Sequence, residues 1–254
     1  MNVDSNSYTF GFATMMVVIV AALLSYAAIG LKPFQDGNIE LEKQQNILNS
    51  IGVDVQRDVA KEAYSKYIKE EIVLNYKGEE VDGDAFEIEL KKELKKANVD
   101  QVLPLFISNI DGFKQYIIPL RGKGLWGPIW GFIALEEDLN TVYGAVFDHK
   151  GETPGLGAEI NQSFFQEPFI GKSIFDGEVF KSIRVVKGGV PEGDNYAVDG
   201  ISGGTITSDG VTDMLLERLN MYLPYITRLK TEMEEEKIIT EIDSALILND
   251  SLIQ

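Results

Sequence analysis

The sequence predicts an α+β fold, in which one N-terminal transmembrane helix precedes a domain with a mainly antiparallel sheet and packed helices. No charged residue occurs from Ser5 to Leu31, and residues 8–31 would form a helix of about 36 Å, long enough to cross a bilayer. Short apolar runs alternate with polar or Gly-rich turns and indicate a meandering sheet; they occupy residues 102–107, 116–120, 129–135, 142–147 and 183–186. A helix packed on this sheet is predicted by the helical spacing of Val211, Met214, Leu215, Leu219 and Leu223.

The N-terminal apolar segment could be a retained anchor or a cleaved signal peptide, because Ser25-Tyr26-Ala27 is a small-x-small triplet. The anchor is favoured, since residues 1–7 contain neither Lys nor Arg and the apolar run is longer than a typical signal core. The nearby basic residues, Lys32 and Lys43, both follow the helix and, taken alone, indicate that its C-terminal side faces the cytoplasm.

The composition excludes several classes of function. A formal charge of −17 over 254 residues argues against nucleic-acid binding, because such an acidic surface would repel phosphates. The chain has no cysteine and one histidine, His149, which excludes thiolate iron–sulfur clusters and His-rich metal sites. If this protein transfers electrons, an organic cofactor must carry them.

The predicted organisation is an N-terminal tail (1–7), the transmembrane helix (8–31), an accessory helical or α+β subdomain (32–98), a main domain (99–228) and a C-terminal tail or helix (229–254). Within the accessory subdomain we expect helices over 38–52 and 57–71, a strand over 72–76 and a turn at Lys77-Gly78, whereas 86–96 fits either a strand or a helix. Pro224 is expected to kink or end the last helix of the main domain.

A Gly-rich loop, residues 199–210, lies directly before the predicted amphipathic helix. Thr207, Ser208 or Asp209 could cap that helix, and its free N–H groups and dipole would favour an anion. Such a loop is also typical of a capped turn that binds nothing. A group of basic residues shortly before it could hold a phosphate or could simply be solvated; it consists of Lys172, Lys181, Arg184 and Lys187.

Two further segments are candidate ligand sites. Residues 121–131 contain Gly-Lys, but Gly124 follows Lys123 where a phosphate-binding P-loop requires Ser or Thr, so nucleoside triphosphate binding is excluded. The tryptophans of this segment, at 126 and 130, could belong to the core or could form a flat apolar wall for a ring. In residues 149–158, His149 lies near Glu152, but no Ser, Cys or second His completes a catalytic arrangement.

The run Asp-Gly-Ile-Ser-Gly-Gly-Thr-Ile-Thr-Ser at 199–208 resembles the flavinylation signature Asp-x-x-Ser-Gly-Ala-Thr-x-Thr of bacterial FMN-binding membrane proteins. The sequence is similar to the family of C subunits of Na+-translocating NADH:quinone oxidoreductases. Two other segments resemble the same family, Gly-x-Gly-Leu-Trp at 122–126 and Glu-Thr-Pro-Gly-Leu-Gly at 152–157. One departure is Gly204, where the family usually has Ala.

This resemblance implies that FMN is covalently bound through a phosphodiester to the hydroxyl of Thr205. It implies no catalytic side chain and no metal in the chain itself. The residues expected to bind or surround the cofactor are Ser202, Gly203, Gly204, Thr207, Leu125, Trp126, Glu152, Thr153 and Leu156, and Lys187 is added from the basic group.

The resemblance also implies an electron-relay component of a complex that couples electron transfer from NADH to a quinone with Na+ transport. Its partners would be the other proteins of that complex, a flavin transferase during maturation, and the bacterial inner membrane, with a single pass and the main domain on the periplasmic side. The alternatives are the homologous FMN-carrying flavoprotein of an Rnf-type electron-transport complex and a non-redox, membrane-anchored binding domain.

Overall fold

The structure is a computed structural model that describes residues 6–251, with side chains described as far as residue 240. The chain divides after Gln44 into two units. The first contains most of helix α1 (Asn6–Ser50), which is the one helix among residues 6–251 that is long and apolar enough to cross a membrane. Residues 1–5 of the predicted N-terminal tail and residues 252–254 of the predicted C-terminal tail lie outside the described residues.

Helix α1 is longer than predicted. Pro33 lies inside it, so the helix expected separately over 38–52 is the last part of the same element. A proline in a helix removes one intrahelical hydrogen bond, and the helix continues past Pro33 with that bond missing.

The second unit is built on one six-stranded sheet in the order β2-β1-β3-β4-β5-β6, in which all neighbouring strands are antiparallel. Its strands are β1 (Ile68–Asn75), β2 (Glu80–Val81), β3 (Val102–Ile110), β4 (Phe113–Lys123), β5 (Pro128–Leu135) and β6 (Val142–His149). The fold class is therefore α+β with a mainly antiparallel sheet, as the sequence predicts.

The segment before residue 99 differs from its prediction. Helix α2 (Ala60–Tyr67) is short, and β1 begins at Ile68, inside the predicted helix 57–71. β1 pairs with β3, with Ile72 opposite Leu105, so the proposed accessory segment and the main domain share one sheet. The predicted domain boundary at residue 98 is corrected accordingly. Residues 68–71 form a strand despite their helical spacing, because their backbone forms hydrogen bonds with β3. Residues 86–96, which by sequence fitted either a strand or a helix, contain a short helix, α3 (Leu90–Glu93).

Both faces of the sheet carry a core, because successive side chains of a strand point to opposite faces. In β4, Ile117 faces one core and Ile118 the other. The first core also contains Ile47 and Leu48 near the end of α1, and the second contains the long helix α5 (Thr205–Ser251). The buried residues of α5 on the sheet include Val211, Met214, Leu215, Leu219 and Tyr222.

Helix α5 is fixed to the sheet at two levels. The Tyr222 hydroxyl donates a hydrogen bond of 2.8 Å to the Pro104 carbonyl oxygen in β3. Near the start of the helix, a Cβ at Gly210 would overlap the carbonyl oxygen of Lys123, so only glycine lets α5 approach the end of β4 so closely. The start of α5 is therefore held against the turn between β4 and β5.

The predicted fifth strand does not join the meander. After β6 the chain continues through two 3-10 turns and α4 (Ser163–Gln166), then a hairpin of β7 (Phe175–Asp176) and β8 (Val179–Phe180). Strand β9 (Arg184–Val186) then pairs in parallel with β10 (Ala197–Asp199) in a separate two-stranded sheet. A hydrogen bond of 2.8 Å from the Val185 N–H to Thr212 Oγ1 holds β9 against α5, which explains why it leaves the meander.

The last helix does not end at Pro224, which lies inside α5, and the segment after residue 228 continues as the same helix to Ser251. As in α1, the loss of one hydrogen bond at proline is tolerated by the helix.

Candidate functional site

Three loops that are distant in the sequence meet at the N-terminus of α5. They are the turn between β4 and β5, the loop that follows β6, and the loop between β10 and α5. Together they enclose a pocket of about 210 Å³, which is lined by Leu125, Glu152, Thr153, Leu156, Gly157, Gly203, Gly204, Thr205, Ile206 and Thr207. The three motifs predicted from the sequence thus form one site.

Glu152 connects these loops from the inside. Its side chain is only 5% exposed. One carboxylate oxygen, Oε1, accepts a hydrogen bond of 2.9 Å from the Trp126 backbone N–H, and the other, Oε2, accepts one of 2.7 Å from the Thr207 hydroxyl. Because the donors belong to the other two loops, this one carboxylate links all three.

The backbone of Glu152 is also fixed, since its N–H donates a hydrogen bond of 3.1 Å to Nδ1 of His149. The histidine therefore has a structural contact within its own loop. Among residues 6–240, whose side chains are described, no ion pair involving Glu152 is found, and its buried oxygens accept hydrogen bonds from neutral donors.

Gly157 is required by the same arrangement. A Cβ at this position would overlap the Thr207 hydroxyl and would lie 2.6 Å from Glu152 Oε2. Any larger residue would have to displace the hydrogen bond between Thr207 and Glu152. The glycine therefore allows the loop after β6 to cross directly over the first turn of α5.

The start of α5 presents backbone donors to the pocket. The helix begins at Thr205, and its first regular hydrogen bond runs from the Ser208 N–H to the Gly204 carbonyl oxygen at 2.9 Å. The N–H groups of a first helical turn have no intrahelical acceptor, and the helix dipole adds positive potential there. This end of the pocket is therefore suited to a phosphate group, although the chain as a whole is acidic.

The predicted capping residues are not caps. Thr207 lies within the first turn, where its hydroxyl is committed to Glu152, and the Ser208 hydroxyl accepts a hydrogen bond of 3.2 Å from the Ile201 N–H. Asp209 is exposed one residue further along. The helix starts earlier than predicted because backbone at Gly203 and Gly204 forms the turn into it, with Gly203 at a φ of 77°.

Exposed apolar side chains surround the pocket. Leu125 and Trp126 are 49% and 69% exposed, and Leu156 and Ile206 are exposed as well. Such a group of apolar side chains at a pocket is typical of a binding surface for an apolar ring or a partner. Trp126 is thus not a core residue; it reaches the site through its backbone N–H, and its side chain does not line the pocket.

Ile206 was not among the predicted site residues. It stands between the two threonines of the signature, on the first turn of α5, and its position in that motif was the available signal. The threonine hydroxyls on either side of it can form bonds to a ligand, whereas the apolar side chain of Ile206 contributes only surface to the pocket.

Ser202 and Lys187 are not among the residues that line the pocket. Ser202 is exposed in the loop before α5, and Lys187 is exposed directly after β9. The loop that carries Ser202 is nevertheless held close to β9, because the Gly200 N–H donates a hydrogen bond of 2.7 Å to the Val186 carbonyl oxygen. Lys187 is therefore the residue next to Val186, which contacts the loop before α5.

The other basic residues of the predicted group do not converge on the pocket. Lys172 donates a hydrogen bond of 2.7 Å to the backbone carbonyl of Asp194, and Arg184 pairs with the carboxylate of the same residue at 3.0 Å. Lys181 lies 3.9 Å from an Asp176 carboxylate oxygen. These contacts agree with the alternative that the group consists of separate, partly solvated cations.

The residues present fit FMN. The phosphate end matches the free N–H groups at the start of α5, and the apolar side chains beside the pocket match a flat isoalloxazine ring. The glycines of the loops remove side-chain bulk where such a ligand and the backbone would approach each other.

Comparison with known proteins agrees with this geometry. A family model described as an FMN-binding domain matches residues 124–220. The chain is 34% identical over 227 residues to the C subunit of the Na(+)-translocating NADH-quinone reductase of Vibrio vulnificus, and the match covers 82% of this chain and 88% of that protein. The corresponding protein of Haemophilus ducreyi is 32% identical over 248 residues, with coverage of 90% and 96%.

Two crystal structures have the same fold. The C subunit of the Na(+)-translocating NADH-quinone reductase of Parabacteroides distasonis has a TM-score of 0.73 and 47% identity, and the match covers 78% of this chain and 97% of that one. Shewanella oneidensis NqrC has a TM-score of 0.63 and 29% identity, with coverage of 76% and 98%. On these similarities and on its FMN-binding domain, the chain belongs to the family of C subunits of the Na+-translocating NADH-quinone reductases.

Proposed function

We propose that this chain is the covalently flavinylated electron-relay component of a membrane NADH:quinone oxidoreductase that couples electron transfer to Na+ transport. The proposal is supported by the family membership, by the FMN-binding domain and by the pocket at the start of α5. Bound FMN would supply the redox chemistry, and the chain would hold, orient and shield it.

The attachment point we propose is Thr205, through a phosphodiester between its Oγ1 and the FMN phosphate. The observation that carries this proposal is the difference between the two threonines of the signature. The Thr207 side chain is buried and its hydroxyl is bound to Glu152, whereas Thr205 is partly exposed at the pocket. A modifying enzyme can reach only a hydroxyl that is accessible.

The remaining residues have separate roles in this proposal. The backbone N–H groups of Ile206 and Thr207 would stabilise the phosphodiester charge at the helix end. Leu125, Trp126 and Leu156 would pack against the ring. Glu152 would position the loops, as its two hydrogen bonds do here.

The other predicted site residues act at the edge of the pocket in this proposal. Thr153 would contact the flavin beside Glu152. Ser202, Gly203 and Gly204 would form the segment that the flavin transferase recognises. Lys187 would add positive charge beside that loop.

The attachment site is tested by the matched variants Thr205→Val and Thr207→Val, which remove one hydroxyl each and keep the side-chain shape. Thr205→Val should abolish in-gel flavin fluorescence and the mass increment of FMN less one water. Thr207→Val should keep both, while losing about 1–3 kcal/mol of stability because Glu152 Oε2 loses its donor. Peptide mass spectrometry of the chain without substitutions identifies the modified threonine even if a variant fails to fold. A modified Thr207, or covalent flavin in Thr205→Val, would contradict the assignment.

The partners are tested by purification of the chain from its native membrane. We expect the other proteins of a Na+-translocating NADH:quinone oxidoreductase to copurify. The proteins of an Rnf complex would instead favour the homologous FMN-carrying flavoprotein of that complex. Absence of flavin fluorescence after denaturation would favour a non-redox binding domain.

The orientation is tested by using the absence of cysteine from the sequence. We propose that the chain spans the bacterial inner membrane once, through α1, with the flavin domain on the periplasmic side. A single Cys in place of Lys114, which is exposed at the start of β4, should then react with a membrane-impermeant maleimide in intact spheroplasts. Reaction only after lysis would place the domain in the cytoplasm.

A further inference from the structure

The hydrogen bond that fixes the backbone of Glu152 depends on a protonation state. His149, the last residue of β6, accepts the Glu152 backbone N–H at Nδ1 over 3.1 Å. A ring nitrogen that accepts a hydrogen bond carries no proton, so this imidazole is neutral and its proton lies on Nε2. His149 is only partly buried, and protons from the solvent can therefore reach it.

The Glu152 carboxylate fits closely between the other two loops. A Cβ at Gly124, in the turn between β4 and β5, would lie 2.5 Å from Oε1, and a Cβ at Gly157 would lie 2.6 Å from Oε2. The same oxygens accept the Trp126 N–H and the Thr207 hydroxyl. A shift of the Glu152 backbone would therefore move the carboxylate away from its donors or against its neighbours.

Protonation of His149 would remove the support of Glu152. An imidazolium has an N–H on both ring nitrogens, so Nδ1 and the Glu152 backbone would then present two donors to each other and must separate. Histidine is the side chain that ordinarily changes its charge between about pH 5 and pH 8. His149 is the one histidine of the sequence, so a change of the loop in this range can be assigned to a single side chain.

The charged groups around His149 are few. Among residues 6–240 no ion pair of His149 is found, and β5, which pairs with β6, has no charged residue and places Ile129 opposite His149. Besides Glu152, the charged side chains beside it in the chain, in the turn between β4 and β5, at the start of α5 and on the 3-10 turns packed against β6 are Asp148, Lys150, Lys123, Asp209, Glu159 and Glu167. Asp148 accepts the backbone N–H of His149 at 2.7 Å, and Glu159 accepts that of Gly155 at 2.8 Å.

We propose that His149 is a positioning residue of the flavin pocket, which holds the three loops together only while its imidazole is neutral. Toward pH 8 the Glu152 N–H is bound, and Glu152 links the turn between β4 and β5 to the start of α5. Toward pH 5 the imidazolium releases Glu152, and the three loops are no longer linked. The inference rests on the proposed function for the identity of the ligand in the pocket, whereas the link between the loops belongs to the chain itself.

The test is NMR spectroscopy of the full-length chain in detergent micelles, produced without flavin and with ¹⁵N-labelled tryptophan. The chain has two tryptophans and so gives two backbone amide signals, which are assigned with Trp126→Phe, since that side chain is exposed. When the pH is lowered from about 7.5 to about 5.5, the Trp126 amide proton should shift upfield, because its N–H loses the Glu152 acceptor. The Trp130 signal, from β5 of the sheet, should move much less.

Two substitutions separate His149 from the carboxylates. His149→Asn keeps an acceptor oxygen that is not protonated in this range, so the Trp126 signal should stay at its neutral-pH position throughout. His149→Phe has no acceptor, so the signal should lie at its acidic position at both pH values. The proposal is overturned if the Trp126 signal of the chain without substitutions does not shift upfield, if His149→Asn shows the same shift, or if His149→Phe behaves like the chain without substitutions. Because the measurement needs no flavin, its failure leaves the attachment at Thr205 untouched, and failure of that attachment leaves this result unaffected.

Discussion

Replacement of Glu152 should show that hydrogen-bond geometry, rather than charge, holds the three loops of the flavin pocket together. In Glu152→Ala the Trp126 N–H and the Thr207 hydroxyl both lose their acceptor. Each unpaired group costs about 1–3 kcal/mol, so we expect the free energy of unfolding to fall by about 2–6 kcal/mol. Flavin incorporation should fall with it, because the start of α5 is no longer tied to the other loops.

Glu152→Gln should be much milder. The amide oxygen can accept the Trp126 N–H, and the amide nitrogen can donate to the Thr207 hydroxyl, which is free to rotate and accept. Loss of charge weakens both bonds, but it also removes the cost of burying a carboxylate with no cationic partner. These effects are opposed, and we expect a net change below about 1 kcal/mol.

Urea unfolding of the full-length chain in detergent micelles, followed by tryptophan fluorescence, measures both effects, because the partly buried Trp130 lies in β5 of the sheet. Glu159→Ala is the matched control, since this glutamate accepts a 2.8 Å hydrogen bond from the Gly155 N–H in an exposed position of the same loop. Its loss should cost less than about 1 kcal/mol, because water replaces the acceptor. If Glu152→Gln is as destabilised as Glu152→Ala, the charge of Glu152 matters more than its geometry and our reasoning is refuted.

Three other predictions follow from the site and the anchor. Trp126→Ala should change the flavin absorbance spectrum and midpoint potential while the covalent bond remains; an unchanged spectrum and potential in a folded variant would place this side chain away from the ring. Gly157→Ala should lower the flavin-to-protein ratio, because its Cβ overlaps the Thr207 hydroxyl, whereas Gly204→Ala should lower it less, since its Cβ would meet the Ile201 side chain at 3.1 Å and needs a shift of only a few tenths of an ångström; equal ratios in the two variants would contradict this. N-terminal sequencing should find residues 8–31 in the mature protein, and a start near Ala28 would show that they are a signal peptide.

The features that the sequence predicted best are those that depend on residues close together in the chain. An uncharged stretch of sufficient length indicates a membrane-spanning helix without reference to the rest of the chain. Apolar runs separated by turn residues predicted β3 to β6, whose neighbours in the sheet are also neighbours in the sequence. The three flavin-family segments were recognisable because each is a short continuous motif.

Other features depend on contacts between distant residues, and only the tertiary structure decided them. Strand β1 replaces part of a predicted helix because β3 offers it a hydrogen-bonding edge. The start of α5 depends on backbone turns and on close packing at Gly210, which local capping preferences do not report. The linking role of Glu152 arises from donors 26 and 55 residues away in the chain, Trp126 and Thr207, and such separations leave no periodic signal in the sequence. The sequence by itself thus identified the three segments that meet at the pocket, whereas the packing of three loops against one helix end determined that the hydroxyl of Thr207 is committed to Glu152 and that Thr205 lies at the pocket.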